Sequence, residues 1–262
     1  MTVKRAPVSV IIPVFNGERF IGEALASVRR QTRPPEDILV VDDGSTDGTP
    51  GVVAAHQPGI RYVRQANQGP HAAQNTGLGL VRRPFVAFLD ADDVWPADKL
   101  QVQVDRFSHE PSLEIVLGHI QLFRPRSSGP AGIAPEFEPY LAPFPGHTCF
   151  GSALFRRPVF DTVGALNEAM VYGADLDWFL RAREAHLIMR MMDHVCLHYR
   201  LHGGNLTRDR RMRNHYLLKV IQNALTRRRQ LPGPGGVPDA DDGQPDQPAG
   251  FARSRPAGGH AP

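Results

Sequence analysis

Cysteine is scarce in this sequence of 262 residues, and the two that are present, Cys149 and Cys196, lie in apolar surroundings without a paired spacing. This favours free thiols in a reducing compartment over a disulfide framework. Long hydrophobic runs are also missing, since the longest run near the start, VSVIIPVF, is short and contains Pro13. It is too short to span a membrane, and the polar NGER that follows argues against a signal peptide. We therefore expect a cytoplasmic protein.

Charge of one sign is not dominant either. The chain has 30 lysines and arginines against 27 acidic residues, a net charge of +3, and a pI near 9.1. The basic residues are spread among acids rather than gathered in one block, so nucleic acid is not expected as a partner. The hydrophobic content of 41% is sufficient for a sizeable core.

The first half of the chain alternates short apolar runs with helical patterns, which is typical of a parallel sheet with crossover helices. A helical stripe runs from Phe20 to Val28, and Asn16 is placed to cap that helix. Gly77 and Gly79 fall inside another predicted helix. The predicted strands are VSVII, 37–41, 60–64, FVAFL and LEIVLG, and the predicted helices lie around GVVAAH, at 70–82 and at 98–107.

The second half is less regular. Residues 124–148 are dense in proline and glycine, as in a long functional loop. Beyond them the sequence predicts a strand within CFGSALFRR, a helix at 176–186 and a strand over MRMMDHVCLHYR. The expected organisation is a single domain over 1–230, with a nucleotide-binding half at 7–118 and an acceptor-side half at 119–209.

A basic amphipathic helix is predicted at 210–229, followed by a tail at 231–262 without apolar periodicity, which is expected to be disordered. Packing of the helix on the domain is the favoured interpretation. Peripheral contact with the inner face of a membrane stays open as an alternative, because basic amphipathic helices also lie on lipid surfaces.

Polar residues follow each of the first four predicted strands: PVFN at 13–16, DDGSTD at 42–47, RQANQG at 64–69 and DADD at 90–93. The carboxyl ends of parallel strands meet at one edge of a sheet, where ligands bind in this class of fold. Two carboxylates 4 Å apart repel by roughly 4 kcal/mol at an effective dielectric constant near 20. A hard divalent ion completed by substrate phosphates would relieve this repulsion, so the expected ligand is a metal-chelated nucleotide diphosphate.

Two further acids, Asp175 and Asp177, stand at the start of the next predicted helix, in YGADLDWFLR. Helix capping explains one of them without any function. A carboxylate beside the site would also suit a general base for a sugar hydroxyl. His202, in YRLHGGNLT, is placed to reach a metal, although a lone histidine is more often structural.

Taken together, these segments resemble a family of known enzymes. The stretches VSVIIPVFNGERFIGEALASVRRQT, ILVVDDGSTDGT, NQGPHAAQNTGL, FVAFLDADDVWPADKL, GSALFRR and YGADLDWFLR follow the order and spacing of family 2 glycosyltransferases over about residues 7–207. The resemblance implies an α/β GT-A fold with a mostly parallel, Rossmann-like sheet. It also implies inverting transfer from a nucleotide diphosphate sugar, a UDP-sugar being favoured, to a saccharide or glycolipid acceptor.

The resemblance assigns roles by position. Asp42 would hydrogen-bond the base, Asp43 would support its loop, and Asp92 would ligate Mn²⁺ or Mg²⁺ directly, with Asp90 and His202 completing the metal site. Asp175 would be the catalytic base. The remaining nucleotide-sugar contacts would come from Pro13, Val14, Phe15, Asn16, Glu18, Gln74, Asp90 and Ala91, and the acceptor side would be formed by Gly151, Asp177 and Trp178.

Two positions depart from the family pattern. Ala174 replaces the usual glutamate before Asp175, and Gln74 stands where arginine is common. Because of Ala174, a catalytically degenerate protein that only binds a sugar nucleotide stays an alternative. AFLDADDV also fits the nucleophile loop of haloacid-dehalogenase-like phosphatases, in which Asp90 would be phosphorylated. That loop usually opens its domain, however, whereas three strand-helix units precede it here. A nucleotidyltransferase would need a basic glycine-rich loop after the first strand, and PVFNGERF is not one.

Overall fold

The structure is a computed structural model that describes residues 4–124, 136–137, 149–204 and 210–230. Its sheet contains eight strands: β1 Ala6–Val14, β2 Pro35–Asp42, β3 Arg61–Arg64, β4 Phe85–Phe88, β5 Ile115–Arg124, β6 Glu136–Phe137, β7 Leu154–Arg156 and β8 Met189–Arg200. The helices are α1 Ile21–Arg29, α2 Thr49–Ala55, α3 Pro70–Leu80, α4 Lys99–His109, α5 Val159–Val163, α6 Ala174–Glu184 and α7 Arg210–Gln230.

The first four strands form a parallel unit in the order β3-β2-β1-β4, as the alternating pattern predicts. The second half is mixed. Strand β7 pairs antiparallel with both β4 and β5, while β8 runs parallel to β5 along its other edge. The expectation of a mostly parallel α/β sheet is therefore confirmed, and β7 joins its two halves.

Two apolar layers cover the two faces of the sheet. Alternate residues of β1 point into different layers, Val10 and Ile12 into one and Ile11 into the other. The first layer includes side chains of α1, α2 and α4, and the second includes side chains of α3 and α6. The sheet is thus buried on both faces, which explains the continuous apolar runs of its strands.

Several local predictions were wrong in detail. Helix α1 begins at Ile21 without a side-chain cap, so Asn16 does not cap it. Instead, Asn16 adopts a positive φ of 51° and accepts a hydrogen bond from the backbone N–H of Thr46 at 2.8 Å. The segment 149–157 is only partly a strand, because a 3-10 turn at Phe150–Ser152 precedes β7. The tail at 231–262 and almost all of the loop at 124–148 lie outside the described residues. No helix in the described part of the chain is long and apolar enough to cross a bilayer.

The two glycines of α3 occupy opposite environments. A Cβ atom on Gly77 would lie 2.5 Å from Cγ2 of Ile11, which is fully buried in β1. A Cβ atom on Gly79 would meet no atom within 4 Å. Gly77 therefore lets the helix approach the sheet closely, whereas Gly79 is exposed and only weakens the helix.

We expect Gly77→Ala to destabilise the protein by about 1–3 kcal/mol through overpacking. Gly79→Ala, on the same helix, should stabilise it by up to about 1 kcal/mol because alanine has the higher helix propensity. Urea unfolding of the two variants measures both effects. Equal shifts of the same sign would contradict the close approach of α3 to β1.

Candidate active site

The loops that follow β1 and β2 are bonded to each other at the carboxyl edge of the sheet. Backbone N–H groups of the first loop donate to side-chain oxygens of the second: Asn16 to Ser45 Oγ at 2.9 Å, Gly17 to Thr49 Oγ1 at 2.9 Å and Glu18 to Asp47 Oδ2 at 3.1 Å. In return, Glu18 Oε2 accepts from the N–H of Gly48 at 2.6 Å. The two loops form one rim, on which Phe15 is 51% exposed above the buried Pro13 and Val14.

The two aspartates after β2 are both buried and bonded within the protein. Asp42 accepts from the N–H of Ser45 at 2.7 Å and from the hydroxyl of Tyr62. Asp43 accepts from the N–H groups of Gln68 at 3.0 Å and Gly69 at 2.7 Å, which fixes the entry to α3. Both oxygens of Asp42 thus already accept hydrogen bonds within the protein, and the base contact assigned to this residue stays a prediction.

The DADD segment forms a tight turn directly after β4. The N–H of Asp93 donates to the carbonyl of Asp90 at 3.0 Å. Asp93 itself is buried, and its Oδ1 accepts from the N–H of Arg200 at 2.8 Å, which is a structural role. A Cβ atom on Gly17 would lie 2.5 Å from Val14 Cγ2 and 3.6 Å from the Cβ of Ala91, so the turn abuts the rim where that loop has no side chain.

Arg200 is a site residue that the sequence analysis missed. Its Nε donates to the carbonyl of Asp92 at 2.6 Å, and its terminal Nη2 donates to Glu23 Oε2 at 2.7 Å. The side chain is almost fully buried and stacks on the rings of Phe20 and Phe123. Arg200 therefore anchors the backbone of the DADD turn through the carbonyl of Asp92. The signal in the sequence that could have identified it is an arginine at the end of an otherwise half-apolar strand.

His202 and Asp92 meet at the front of this turn. Nε2 of His202 lies 2.8 Å from Oδ2 of Asp92, and the imidazole packs on Phe20 with ring centroids 4.8 Å apart. Two carboxylates and one imidazole are a suitable donor set for Mn²⁺ or Mg²⁺, which bind few protein ligands and take the others from phosphates and water. Among the residues described, no group of three acidic, histidine or cysteine side chains is arranged as a complete metal cage.

Asp175, at the start of α6, is brought to the same edge of the sheet. Burial and the negative charges of Asp92 and Asp175 raise the pKa of Asp90 to about 7. Burial, followed by the charges of Asp175 and Asp90, also raises the pKa of Cys149 well above its usual range. The Asp90 carboxyl therefore lies close enough to Asp92 and Asp175, and the Cys149 thiol close enough to Asp175 and Asp90, for these charges to interact.

Helix α3 brings Gln74 into the buried layer, where only 6% of the residue is exposed. Its Oε1 lies 2.9 Å from Nδ1 of His71. The other ring nitrogen of His71, Nε2, is buried without a hydrogen-bond partner in the described part of the chain. Nucleotide binding by Gln74 remains a prediction.

Two residues predicted on the acceptor side are not available there. Asp177 is 2% exposed and is paired with Arg181 at 3.1 Å and with Arg227 at 2.9 Å. Trp178 is fully buried in an aromatic cluster and donates its indole N–H to the carbonyl of Gly164 at 2.8 Å. Both predictions are corrected because residues on the inner face of α6 point into the core. Gly151 is also buried, and its carbonyl accepts from Trp95 Nε1 at 3.0 Å.

A sequence model of the family described as Glycosyl transferase family 2 matches residues 9–164, more than half of the chain. The chain therefore belongs to this family, as its motifs predict, and the expected enzyme class is a glycosyltransferase. The haloacid-dehalogenase alternative is not favoured.

The relatives include a glycosyltransferase of PGL/p-HBAD biosynthesis from Mycobacterium tuberculosis, 33% identical over 205 residues that cover 75% of this chain and 77% of that protein. Chondroitin synthase of Escherichia coli is 27% identical over 234 residues, 86% of this chain. The chain spans only 34% of that synthase and 16% and 32% of two further uncharacterised glycosyltransferases.

Two solved structures share the fold. TarS residues 1–349 of S. aureus, in complex with UDP-GlcNAc, matches with a TM-score of 0.66 at 20% identity, covering 84% of this chain and 65% of that chain. The mannosyltransferase PcManGT of Pyrobaculum calidifontis, in complex with GDP-Man and Mn²⁺, matches with a TM-score of 0.65 at 21% identity, covering 85% and 65%. The GT-A type of fold is thereby confirmed.

The raised pKa of Asp90 predicts how the stability of the metal-free protein depends on pH. The folded-state pKa of about 7 lies above the ordinary value of 3.8, so between these values the native state keeps a proton that the unfolded state has lost. Stability should therefore fall as the pH rises from about 4 to 7, and each unit of pKa difference corresponds to about 1.4 kcal/mol. Asp90→Asn should flatten this dependence.

Urea unfolding in the presence of EDTA at several pH values measures the effect. Asp161→Asn is the matched control, because the Asp161 side chain is 65% exposed beside Arg157 and should leave the pH dependence unchanged. An identical pH dependence in the wild type and in Asp90→Asn would contradict the crowding of charge at Asp90.

Proposed function

We propose that the chain transfers a sugar from a nucleotide diphosphate sugar to a hydroxyl group of a saccharide or glycolipid acceptor, with inversion at the anomeric carbon. The observation that carries this proposal is the meeting of Asp90, Asp92 and Asp175 at the sheet edge. A UDP-sugar is the favoured donor, and synthesis of cell-surface polysaccharide or glycolipid is the favoured setting. The printed ligands of the fold neighbours, UDP-GlcNAc and GDP-Man, support this donor class.

Each part of the edge then has its role. The nucleotide would lie on the rim beside Phe15 and Asn16, with Asp43 holding the entry to α3. Asp92, Asp90 and His202 would hold a divalent ion, Mn²⁺ or Mg²⁺, and Mn²⁺ is present in the PcManGT complex. When bound, this ion stabilises the negative charge that develops on the leaving diphosphate.

Asp175 would act as the base. Its carboxylate removes the proton from the acceptor hydroxyl while that oxygen attacks the anomeric carbon, and the bond from this carbon to the diphosphate oxygen breaks. The attack comes from the face opposite the diphosphate, so one displacement inverts the configuration. Ala174 has no acidic side chain, so Asp175 is the acid of this pair.

The phosphatase alternative has a specific obstacle. A nucleophilic aspartate must be ionised, whereas the pKa of Asp90 is raised to about 7 by burial and by Asp92 and Asp175. The family match over residues 9–164 and the three strand-helix units that precede Asp90 also favour the transferase. A metal-binding role is therefore preferred for Asp90.

Calorimetric titration with UDP, GDP, CDP and dTDP tests the donor assignment. We expect one of these nucleotides to bind in the presence of Mn²⁺, and binding should weaken at least about tenfold with EDTA or in Asp92→Asn, because the ion links protein and diphosphate. Failure of all four nucleotides to bind with Mn²⁺ would reject the proposed donor class.

The assignment of the base is tested by Asp175→Asn, which should keep nucleotide affinity while transfer falls about 10²–10⁴-fold. Transfer is measured as acceptor-dependent nucleotide release from the donor that binds. Asp177→Asn is the control from the same helix turn. It should lower stability by breaking the pairs with Arg181 and Arg227 but leave turnover per folded molecule nearly unchanged. Normal turnover in Asp175→Asn would place the base elsewhere.

We also propose that the protein attaches peripherally to the inner face of a membrane through α7. The helix packs on the domain through Tyr216, Val220 and Arg227, whereas its outer face is unusually apolar. Four large hydrophobic side chains there are 45–60% exposed: Leu217, Leu218, Ile221 and Leu225. Exposed basic residues accompany them at Lys219, Arg228 and Arg229, and α7 contains no acid. An anionic lipid surface matches both features.

Sedimentation with vesicles tests this contact. We expect binding to vesicles of mixed phosphatidylglycerol and phosphatidylcholine, weaker binding to phosphatidylcholine alone, and loss of at least about half of the bound fraction in Leu218→Ser/Ile221→Ser. Ile188→Ser/Met191→Ser removes exposed apolar side chains elsewhere and should bind normally. Unchanged binding of the α7 variant would reject the contact, and a concentration-dependent dimer lost in that variant would assign the face to a second copy of the chain.

A further inference from the structure

Lys99, at the start of α4, is a fully buried cation whose role the proposed reaction does not explain. Its ammonium donates to Gln103 Oε1 at 2.7 Å and to the carbonyl of Ala153 at 3.1 Å, and it lies 4.2 Å from the ring centroid of Trp95. Burial lowers its pKa to about 8, so the side chain is still mostly charged near neutral pH. Its contacts in the described part of the chain are amide and carbonyl oxygens and an indole face.

Lys99 belongs to a group of three side chains that hold three consecutive carbonyls. Trp95 Nε1 donates to Gly151 at 3.0 Å, Gln103 Nε2 to Ser152 at 2.9 Å, and Lys99 Nζ to Ala153 at 3.1 Å. Backbone bonds of the 3-10 turn run from the N–H of Ser152 to Cys149 and from that of Ala153 to Phe150. Two side chains of α4 and Trp95, which precedes this helix, therefore add three bonds that hold the turn.

A buried ammonium is an expensive way to bind carbonyl groups, because its desolvation is only partly offset by hydrogen bonds to neutral oxygens. Core packing alone would be served as well by an apolar side chain of similar length. A charged donor does, however, make stronger and more directional hydrogen bonds than a neutral one. A buried ammonium at this position is thus better explained by directional hydrogen bonds that place the turn than by its contribution to stability.

The turn that is held in this way borders the carboxylate cluster. Phe150, the first residue of the turn, packs on Trp178 of α6 with ring centroids 5.3 Å apart and on Phe88, the last residue of β4, at 5.0 Å, so the turn contacts the helix that carries Asp175 and the strand that precedes Asp90. A Cβ atom on the next residue, Gly151, would lie 3.0 Å from Leu197 Cδ2. The turn therefore lies between β8 and the elements that carry Asp90 and Asp175. A shift of its backbone would move the protein surface beside Asp175.

We propose that Lys99, with Gln103 and Trp95, is a positioning residue that fixes the 3-10 turn at 150–152 as the acceptor-side wall beside Asp175. The role in transfer rests on the proposed glycosyltransferase function. The placement of the turn by Lys99 does not, so the two can fail separately.

Lys99→Met removes the charge and the donors at similar length. Hydrogen exchange followed by mass spectrometry should show the amides of Ser152 and Ala153 exchanging at least about tenfold faster than in the wild type, with the amides of β1 unchanged. Nucleotide affinity should stay within about twofold while acceptor-dependent nucleotide release falls about tenfold, because the acceptor is misplaced but the donor is not.

Val104→Ala is the matched control, a cavity in the same helix whose residue makes no hydrogen bond to the turn. It should lower the unfolding midpoint without the local change in exchange. Trp95→Phe keeps an aromatic ring at this position but loses the N–H that donates to the carbonyl of Gly151. It provides a milder variant should Lys99→Met fold poorly. We expect faster exchange of the turn in Trp95→Phe as well.

Exchange at Ser152 and Ala153 that is unchanged in Lys99→Met and Trp95→Phe, or raised equally in Val104→Ala, would overturn the proposal. Loss of nucleotide affinity equal to the loss of transfer would overturn the acceptor-side assignment. If the wild type binds no nucleotide at all, the proposed function fails, and the exchange measurement still decides whether Lys99 places the turn.

Discussion

Mutual repulsion of carboxylates at the carboxyl end of β4 is the constraint around which this site is organised. Asp90 and Asp92 share one turn, and Asp175 approaches from α6. Burial, followed by the charges of Asp92 and Asp175, raises the pKa of Asp90 to about 7. Such a cluster persists only where the rest of the fold offsets the repulsion, or where a bound cation neutralises it.

Two buried cations bond to backbone carbonyls next to the cluster rather than to its carboxylates. Arg200 donates to the carbonyl of Asp92, and Lys99 donates to the carbonyl of Ala153. Both therefore bond to backbone near the cluster, whereas His202 reaches a carboxylate directly, 2.8 Å from Oδ2 of Asp92.

The sequence predicted the elements with local signals well and the partners of side chains poorly. The strands before PVFN, DDGSTD and DADD were identified because each apolar run is followed directly along the chain by its polar end. Asp177 and Trp178 were misplaced on the acceptor side, since the direction in which α6 presents each residue depends on what it packs against. Asn16 was mistaken for a helix cap because loops that bond to other loops leave no local pattern.

The sequence by itself determined the fold class, the family and the residues from which a metal-diphosphate edge would be built, because these depend on periodicity and on the order of motifs. Only the tertiary structure decided which carboxylates meet, that Asp42 and Asp177 are buried with partners, and that the buried Lys99 and Arg200 bond to backbone carbonyls. The physical reason is that burial and charge proximity arise between residues more than a hundred positions apart, as for His202 and Asp92. Such distances are fixed by the packing of the sheet and its helices, which no short stretch of sequence records.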